Sequence, residues 1–152
     1  MINGTEIDLA DLRMRAQRVR EFTHQEGDVT FQLRHPNRFE SERLWSRHRD
    51  DVVGGMRELV AVSLLGWDGV LVRDALPESK HGDDPLPFSA EAVELVLDER
   101  TDWIQAIGQA IALRMSARRE SVEADRKNSQ TECATSAAEA AATNSPRSVS
   151  AT

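Results

Sequence analysis

The stretch that most constrains the fold of this chain runs from Asp51 to Met115. Its apolar residues recur at spacings of three and four over 52–64, over 90–97 and over 103–115. A Gly-Trp-Asp-Gly turn and a polar loop separate the first of these segments from the second. Because such spacings place apolar side chains on one face of a helix, the stretch predicts three amphipathic helices.

Capping residues are predicted to fix the ends of two of these helices. Ser89 precedes the second segment, and its hydroxyl is suited to accept a hydrogen bond from a free first-turn amide. Phe88 is spaced to pack on Val93 across that turn. Gly66 follows the first segment and is predicted to end it in the left-handed conformation, with Trp67 folded back over the helix end. We therefore expect Trp67 and Phe88 to be buried.

A thinner apolar stripe lies near the N-terminus, between Leu9 and Phe22. It predicts an amphipathic helix that begins at Asp8 or Asp11. Four arginines cover the other faces of this helix, and they are Arg13, Arg15, Arg18 and Arg20. We interpret them as a solvated face and not as a nucleic-acid-binding arm, because nearby acids bring the local net charge close to zero.

One strand is predicted over 29–33, where apolar and polar residues alternate after a turn at Glu26-Gly27-Asp28. A strand cannot stand alone, because its backbone groups need hydrogen-bond partners. Two partners are open: a short strand at 70–72 of the same chain, or the edge of a second subunit. The second alternative predicts self-association.

The predicted fold class is mainly α: a small helical domain with one or two short β-strands and a disordered C-terminal tail. From Asn128 onward the sequence lacks any apolar period, which predicts disorder. The predicted organisation is an N-terminal helical extension over 1–26, a mainly helical domain over 27–120, and a charged helix end with a low-complexity tail over 121–152.

The net charge of −7 is concentrated in the central stretch. Residues 51–112 hold four Lys/Arg and twelve Asp/Glu, which gives −8, so this region is unsuited to binding nucleic acid. The single cysteine, Cys133, excludes an intramolecular disulfide. The N-terminus has no signal-peptide pattern, and no apolar run approaches the ~20 residues of a membrane span. We therefore expect a soluble intracellular protein that binds no membrane.

No constellation of side chains predicts catalysis, a metal site or a cofactor. The four histidines have no partner histidine at i+3 or i+4, so no helical metal-ligand pair exists. His48 with Asp50 and Asp51 comes nearest to a site, but we interpret these residues as a polar helix start at the surface, because such short coincidences are common. Cys133 lies in the predicted disordered tail, where nothing would lower the pKa of its thiol. The three tryptophans are predicted to be core residues, with one of them as a candidate anchor for a partner.

The order of several short motifs resembles one known family. These are Phe31-Gln32-Leu33-Arg34-x-Pro36, then Val62-Ser63-Leu64-Leu65-Gly66-Trp67-Asp68-Gly69-Val70, then Pro85-Leu86-Pro87-Phe88-Ser89-Ala90-Glu91-Ala92-Val93-x-x-Val96-Leu97, followed by a Trp/Ile-rich helix. Over roughly residues 29–115 this order resembles the tail assembly chaperones of long-tailed bacteriophages. The segment 1–26 and the long loop at 73–84 depart from the pattern of that family.

The resemblance implies a non-catalytic role in the host cytoplasm. Chaperones of this family bind the long helical tape measure protein, keep it soluble and help to recruit tail tube protein subunits, and they are not expected in the mature virion. The motifs mark positions of the fold, so the resemblance carries no functional residues. The partners implied are the tape measure protein and the tail tube protein.

The candidate partner-binding residues are large apolar side chains that a small domain would leave in a groove: Trp67, Trp103, Ile107 and Ile111. Two alternatives to the chaperone remain open. One is a structural tail or head-completion protein, and the other is a small enzyme that uses His48 and Asp51. A gene position just upstream of a tape measure gene would favour the chaperone.

Overall fold

The computed structural model describes residues 7–142, with side chains described as far as Gln130. Over these residues the chain forms six helices and three strands. In chain order they are α1 (Leu9–Arg18), β1 (Glu21–Glu26), β2 (Val29–Arg34), α2 (Arg38–Arg47), α3 (Val52–Ser63), β3 (Leu64–Asp68), α4 (Val72–Ala75), α5 (Ala90–Glu99) and α6 (Thr101–Ala142). The mainly helical fold class predicted from the sequence is confirmed, with three strands in place of one or two.

The three strands form an antiparallel sheet in the order β1-β2-β3. The predicted strand over 29–33 is confirmed as β2, and it lies in the centre of this sheet. Its partners are β1 on one side and β3 on the other. Since both partners belong to the same chain, β2 needs no strand from a second subunit. The prediction that residues 70–72 form its partner strand is wrong, because β3 lies at Leu64–Asp68.

Strand β1 replaces the end of the predicted first helix. Helix α1 begins after Asp8, whose Oδ1 accepts a hydrogen bond from the amide of Ala10 at 2.9 Å. It ends at Arg18, and not at Phe22 as the apolar stripe predicts. The predicted turn at Gly27 is confirmed: with φ 58° it joins β1 to β2 in a hairpin that pairs Glu26 with Val29. Cross-strand pairing in this hairpin outweighs the helical spacing of the stripe.

Strand β3 contains Gly66, which was predicted to end a helix. Helix α3 ends earlier, at Ser63, and the chain turns directly into β3. The glycine with positive φ is Gly69, at 88°, so the left-handed turn follows the strand and not the helix. Gly66 sits opposite Gln32, and a Cβ there would lie 2.8 Å from Oε1 of that side chain.

One face of the sheet forms the floor of the core. The side chains of β2 alternate, with Val29, Phe31 and Leu33 buried. Helices α3, α5 and α6 contribute most of the rest of the same cluster, namely Leu59, Val60, Val93, Val96, Leu97, Trp103, Ile104, Ile107 and Ile111. Leu44 of α2, Leu64 of β3 and Val70 complete it. The edge of the Phe31 ring meets the Trp103 ring with centroids 5.2 Å apart. The 3.6-residue stripes over 52–64, 90–97 and 103–115 are therefore core faces, as predicted, except at Val52 and Val53, which are 66% and 78% exposed at the start of α3.

Two adjacent glycines, Gly54 and Gly55, lie at the start of α3. Asp51 caps the helix, because its Oδ1 accepts a hydrogen bond from the amide of Gly54 at 2.9 Å. A Cβ on Gly55 would lie 2.5 Å from Cζ3 of Trp45 on α2. The pair thus marks the helix start and also allows α2 and α3 to approach closely.

The segment between β3 and α5 differs from the predicted strand and open loop. Residues 72–75 form the short helix α4, and Leu71 makes an isolated antiparallel bridge to Pro85. The bridge brings the two ends of the loop together. Beyond it, Ser89 caps α5 as predicted, with its hydroxyl accepting from the amide of Ala92 at 3.0 Å.

Backbone contacts divide the chain into two compact units, Met1–Met115 and Ser116–Thr152. Every side chain from Ser116 to Gln130 is exposed. Regular structure was predicted to end before Asn128, whereas the backbone of α6 is helical to Ala142. The rest of the predicted disordered tail, 143–152, lies outside the described residues.

Ser63 provides a first test of the core. This residue is 1% exposed, and its Oγ has no hydrogen-bond partner among the described residues. Because a buried hydroxyl without a partner costs free energy, Ser63→Ala is expected to stabilise the domain by about 1 kcal/mol. Urea unfolding measures the change, with Ser46→Ala at an exposed position of α2 as the control. Destabilisation by Ser63→Ala would mean that the hydroxyl has a partner.

Candidate partner-binding surface

Three of the four predicted partner-binding residues are core residues. Trp103 is 4% exposed, and Ile107 and Ile111 are fully buried. The prediction that they line an open groove is wrong for these three. They lie beneath the sheet in the same cluster as Phe31 and Leu33, where no partner can reach them. The stripe of a helix identifies its buried face, but the sequence did not reveal that a three-stranded sheet covers that face.

Trp67 is the fourth residue, and it is half-buried. Its indole Nε1 donates a hydrogen bond to the carbonyl oxygen of Leu86 at 2.8 Å. Its ring meets the Phe88 ring edge-on, with centroids 4.9 Å apart. Both ends of the loop are therefore joined at Trp67, as expected. Phe88 itself is 39% exposed, so the prediction that it is a buried residue is wrong.

Helix α1 presents apolar side chains that nothing in the described structure covers. None of its residues is buried. Its apolar residues Leu9 and Leu12 are 76% and 48% exposed, and Val19 just beyond its end is 60% exposed. With Ala16, also exposed, these residues form one face at helical spacing. We call Leu9, Leu12, Ala16 and Val19 the α1 stripe.

The α1 stripe is bordered by positive charge. At 100° per residue, Arg13 lies beside one edge of the stripe and Arg15 beside the other. Arg15 is paired with Asp11 at 2.8 Å, and its side chain is 72% exposed. Arg20 turns inward instead: its side chain is 11% exposed and lies 3.6 Å from a carboxylate oxygen of Glu40. The sequence showed this stripe and these arginines, but not that the stripe faces outward.

Helix α5 presents the opposite charge. Its inner face carries four buried apolar residues, Ala92, Val93, Val96 and Leu97. Its outer face is acidic around a single apolar side chain, Leu95, which is 54% exposed. We call Glu91, Glu94, Leu95 and Glu99 the α5 outer face. Asp98 belongs to the same side of the helix but is paired with Arg57.

The most connected charged group in the described residues is Arg100, between α5 and α6. Its Nη1 donates to Oδ1 of Asp74 at 2.7 Å. Its Nε and Nη2 donate to the two carboxylate oxygens of Asp102 at 3.0 Å and 2.9 Å. Its guanidinium also lies over the Trp103 ring, 3.9 Å from the centroid. Asp74 in turn accepts from the amide of Leu71, so Arg100 ties the loop that contains α4 to the start of α6.

These contacts shift two pKa values. The hydrogen bond to Asp102 raises the pKa of Arg100, and the same bond from Arg100 holds the pKa of Asp102 below its ordinary value of 3.8. The stabilisation from Asp102 is therefore complete above the pKa of its unfolded form. It is lost as the pH falls through the lower pKa of the folded form. Acid, and not neutral pH, weakens this connection.

Removing Arg100 is expected to destabilise the first unit. The Asp74 side chain is 11% exposed, so Arg100→Met leaves a largely buried carboxylate without its cation, at a cost of about 2 kcal/mol. Adding Asp74→Asn should recover part of this loss, because the amide oxygen keeps the bond to Leu71. The exposed pair is the control: Arg57→Met should cost less than about 1 kcal/mol. Urea unfolding measures all three, and equal losses for Arg57→Met and Arg100→Met would contradict this role.

The residues considered for an enzyme have structural partners. His48 Nε2 is paired with a carboxylate oxygen of Glu58, and Arg47 Nη2 lies 2.6 Å from the other oxygen. Asp51 instead caps α3 through the amide of Gly54. A surface pocket is lined by residues 46–51, and two of its residues, His48 and Asp51, have the structural partners just named. Within the described residues, no group of three His, Cys, Asp or Glu side chains is placed to hold a metal ion.

No helix among the described residues is both long enough and apolar enough to cross a membrane. The chain matches no protein-family model, no curated protein and no solved structure. Its function is therefore inferred from its own residues.

Proposed function

We propose that this chain is a phage tail assembly chaperone. In this role it binds the tape measure protein in the host cytoplasm, helps to recruit tail tube subunits and leaves before the virion is complete. It catalyses no reaction. The order of motifs over 29–115 supports the proposal, since it resembles the order in that family.

The observation that carries the proposal is the exposed α1 stripe, which belongs to this chain's own segment 1–26 and lies outside the family pattern. A soluble domain normally buries the apolar face of an amphipathic helix, whereas α1 buries none of its residues. An apolar face on a helix of ten residues is suited to pair with the apolar stripe of another helix. A tape measure protein is long and helical, so it offers such stripes repeatedly.

The roles of the charged residues support a binding protein over an enzyme. Arg100, Asp74 and Asp102 hold the loop against α6, and His48 and Glu58 join α2 to α3. Within the described residues these groups are engaged in contacts that stabilise the fold. The client surface proposed here is the α1 stripe, in place of the buried residues Ile107 and Ile111.

Co-expression tests the proposal. The cognate tape measure protein is produced with and without this chain, and the soluble fraction is measured. We expect the chain to raise the soluble fraction several-fold and to co-purify with the tape measure protein. A tape measure protein that is equally soluble alone, with no complex on pull-down, would contradict the chaperone role and favour a structural tail or head-completion protein.

A further inference from the structure

We propose that the chain forms a reciprocal dimer in which the α1 stripe of each copy packs on the α5 outer face of the other. The dimer does not depend on the tail-assembly role; because the α1 stripe is also the proposed client surface, a client helix would compete with the second copy for it. The dimer is inferred from two exposed surfaces of the same molecule that are complementary in charge and in apolar content.

The first surface is positive around an apolar centre. The α1 stripe supplies exposed leucines, and Arg13 and Arg15 border it on its two sides. No carboxylate of the described residues forms an ion pair with Arg13, so its charge is available to a partner. This helix is basic within a chain whose net charge is −7.

The second surface is negative around an apolar centre. On α5, Leu95 lies one turn after Glu91 and one turn before Glu99, and all three side chains are exposed. Neither glutamate forms an ion pair within the described residues. A helix laid across this face with arginines on both borders would place opposite charges together and cover Leu95. Like charges would repel if α1 met α1 or α5 met α5.

The size of α1 explains why the contact should be reciprocal. One helix of ten residues covers much less than the ~800 Å² per partner that a stable interface needs. In a two-fold arrangement, the α1 stripe of each copy packs on the α5 outer face of the other. This doubles the buried area and closes the assembly at two chains. Exposed charge pairs are weakened by salt, so the dimer should be weak and salt-sensitive.

Charge reversal tests the pairing by sedimentation velocity over a concentration series. The first variant is Arg13→Glu with Arg15→Glu, and the second is Glu91→Arg with Glu99→Arg. Each alone places like charges together and should weaken the dimer about tenfold or more. The control, Arg43→Glu with Arg49→Glu, makes the same change in net charge as the first variant at exposed positions outside both surfaces. It should leave the dissociation constant within about twofold.

An equimolar mixture of the first two variants tests the pairing most sharply. In the mixed pair both contacts join opposite charges again, so dimerisation should return. Circular dichroism of each variant confirms that the fold is kept, since all the changed side chains are exposed. A wild-type chain that stays monomeric to about 1 mM would overturn the proposal. So would a dimer that the reversals do not affect, or a mixture that does not recover it.

Discussion

Replacing Ile107 with aspartate is expected to unfold the first unit of the chain. The side chain is fully buried in the cluster beneath the sheet, beside residues of β2, α3 and α5. A carboxylate there would lie among apolar side chains, which costs several kcal/mol in addition to the lost apolar contacts. Since a domain of this size has a total stability of about 5–15 kcal/mol, one such change removes most of it.

The milder substitution gives a measurable value. Ile107→Ala is expected to lower the free energy of unfolding by about 4 kcal/mol through lost transfer and the cavity left behind. Leu113→Asp on the same helix is the control, because Leu113 is 71% exposed and its replacement should change stability by less than about 0.5 kcal/mol. Urea unfolding followed by circular dichroism measures both. An Ile107→Asp variant that melts at the wild-type temperature would show that Ile107 is not a core residue.

Gly69→Ala is expected to destabilise the chain by about 3 kcal/mol. Gly69 has φ 88°, a conformation that costs an alanine free energy. A Cβ there would also lie 2.6 Å from the backbone carbonyl oxygen of Asp28, and this atom cannot move without shifting the hairpin. Strain and clash therefore add, at the turn that follows the central sheet.

Gly27→Ala separates these two contributions. Gly27 also has a positive φ, 58°, but a Cβ there would meet nothing within 4 Å. Its replacement should cost only the strain, about 1 kcal/mol. Thermal unfolding of both variants gives the difference, which measures the clash at Asp28. Equal losses at the two glycines would show that the close approach at Gly69 has no effect on stability.

The sequence predicted the buried stripes well because each is a local pattern. The spacing over 52–64, 90–97 and 103–115 identified residues that the structure buries, and Asp8, Asp51 and Ser89 stand at the helix starts. Strand β2 was found for the same reason, since its alternation of apolar and polar residues is visible in six consecutive residues. Local periodicity is set by one element alone and needs no knowledge of its neighbours.

The sheet partners were missed because they depend on contacts between elements. Glu21–Glu26 carries a weak alternation that the helical stripe before it masks, and only pairing with β2 makes it a strand. Leu64–Asp68 reads as the end of an apolar helix, yet it pairs with β2 across about thirty residues of sequence. The same limit applies to the partner-binding residues. Ile107 and Ile111 were identified as a stripe, but the sheet that covers them could not be seen from their spacing.

The central claim is that the α1 stripe binds a helical client. A pull-down of the tape measure protein tests this binding most directly. It compares three forms of the chain: the wild type, the double variant Leu9→Asp with Leu12→Asp, and Val53→Asp. Val53 is 78% exposed on α3 and serves as the matched control. We expect wild type and Val53→Asp to retain the client equally and the α1 variant to lose about tenfold or more of it, while remaining folded. Undiminished capture by the α1 variant would contradict the assignment of the surface, and no capture by the wild-type chain would contradict the chaperone function itself.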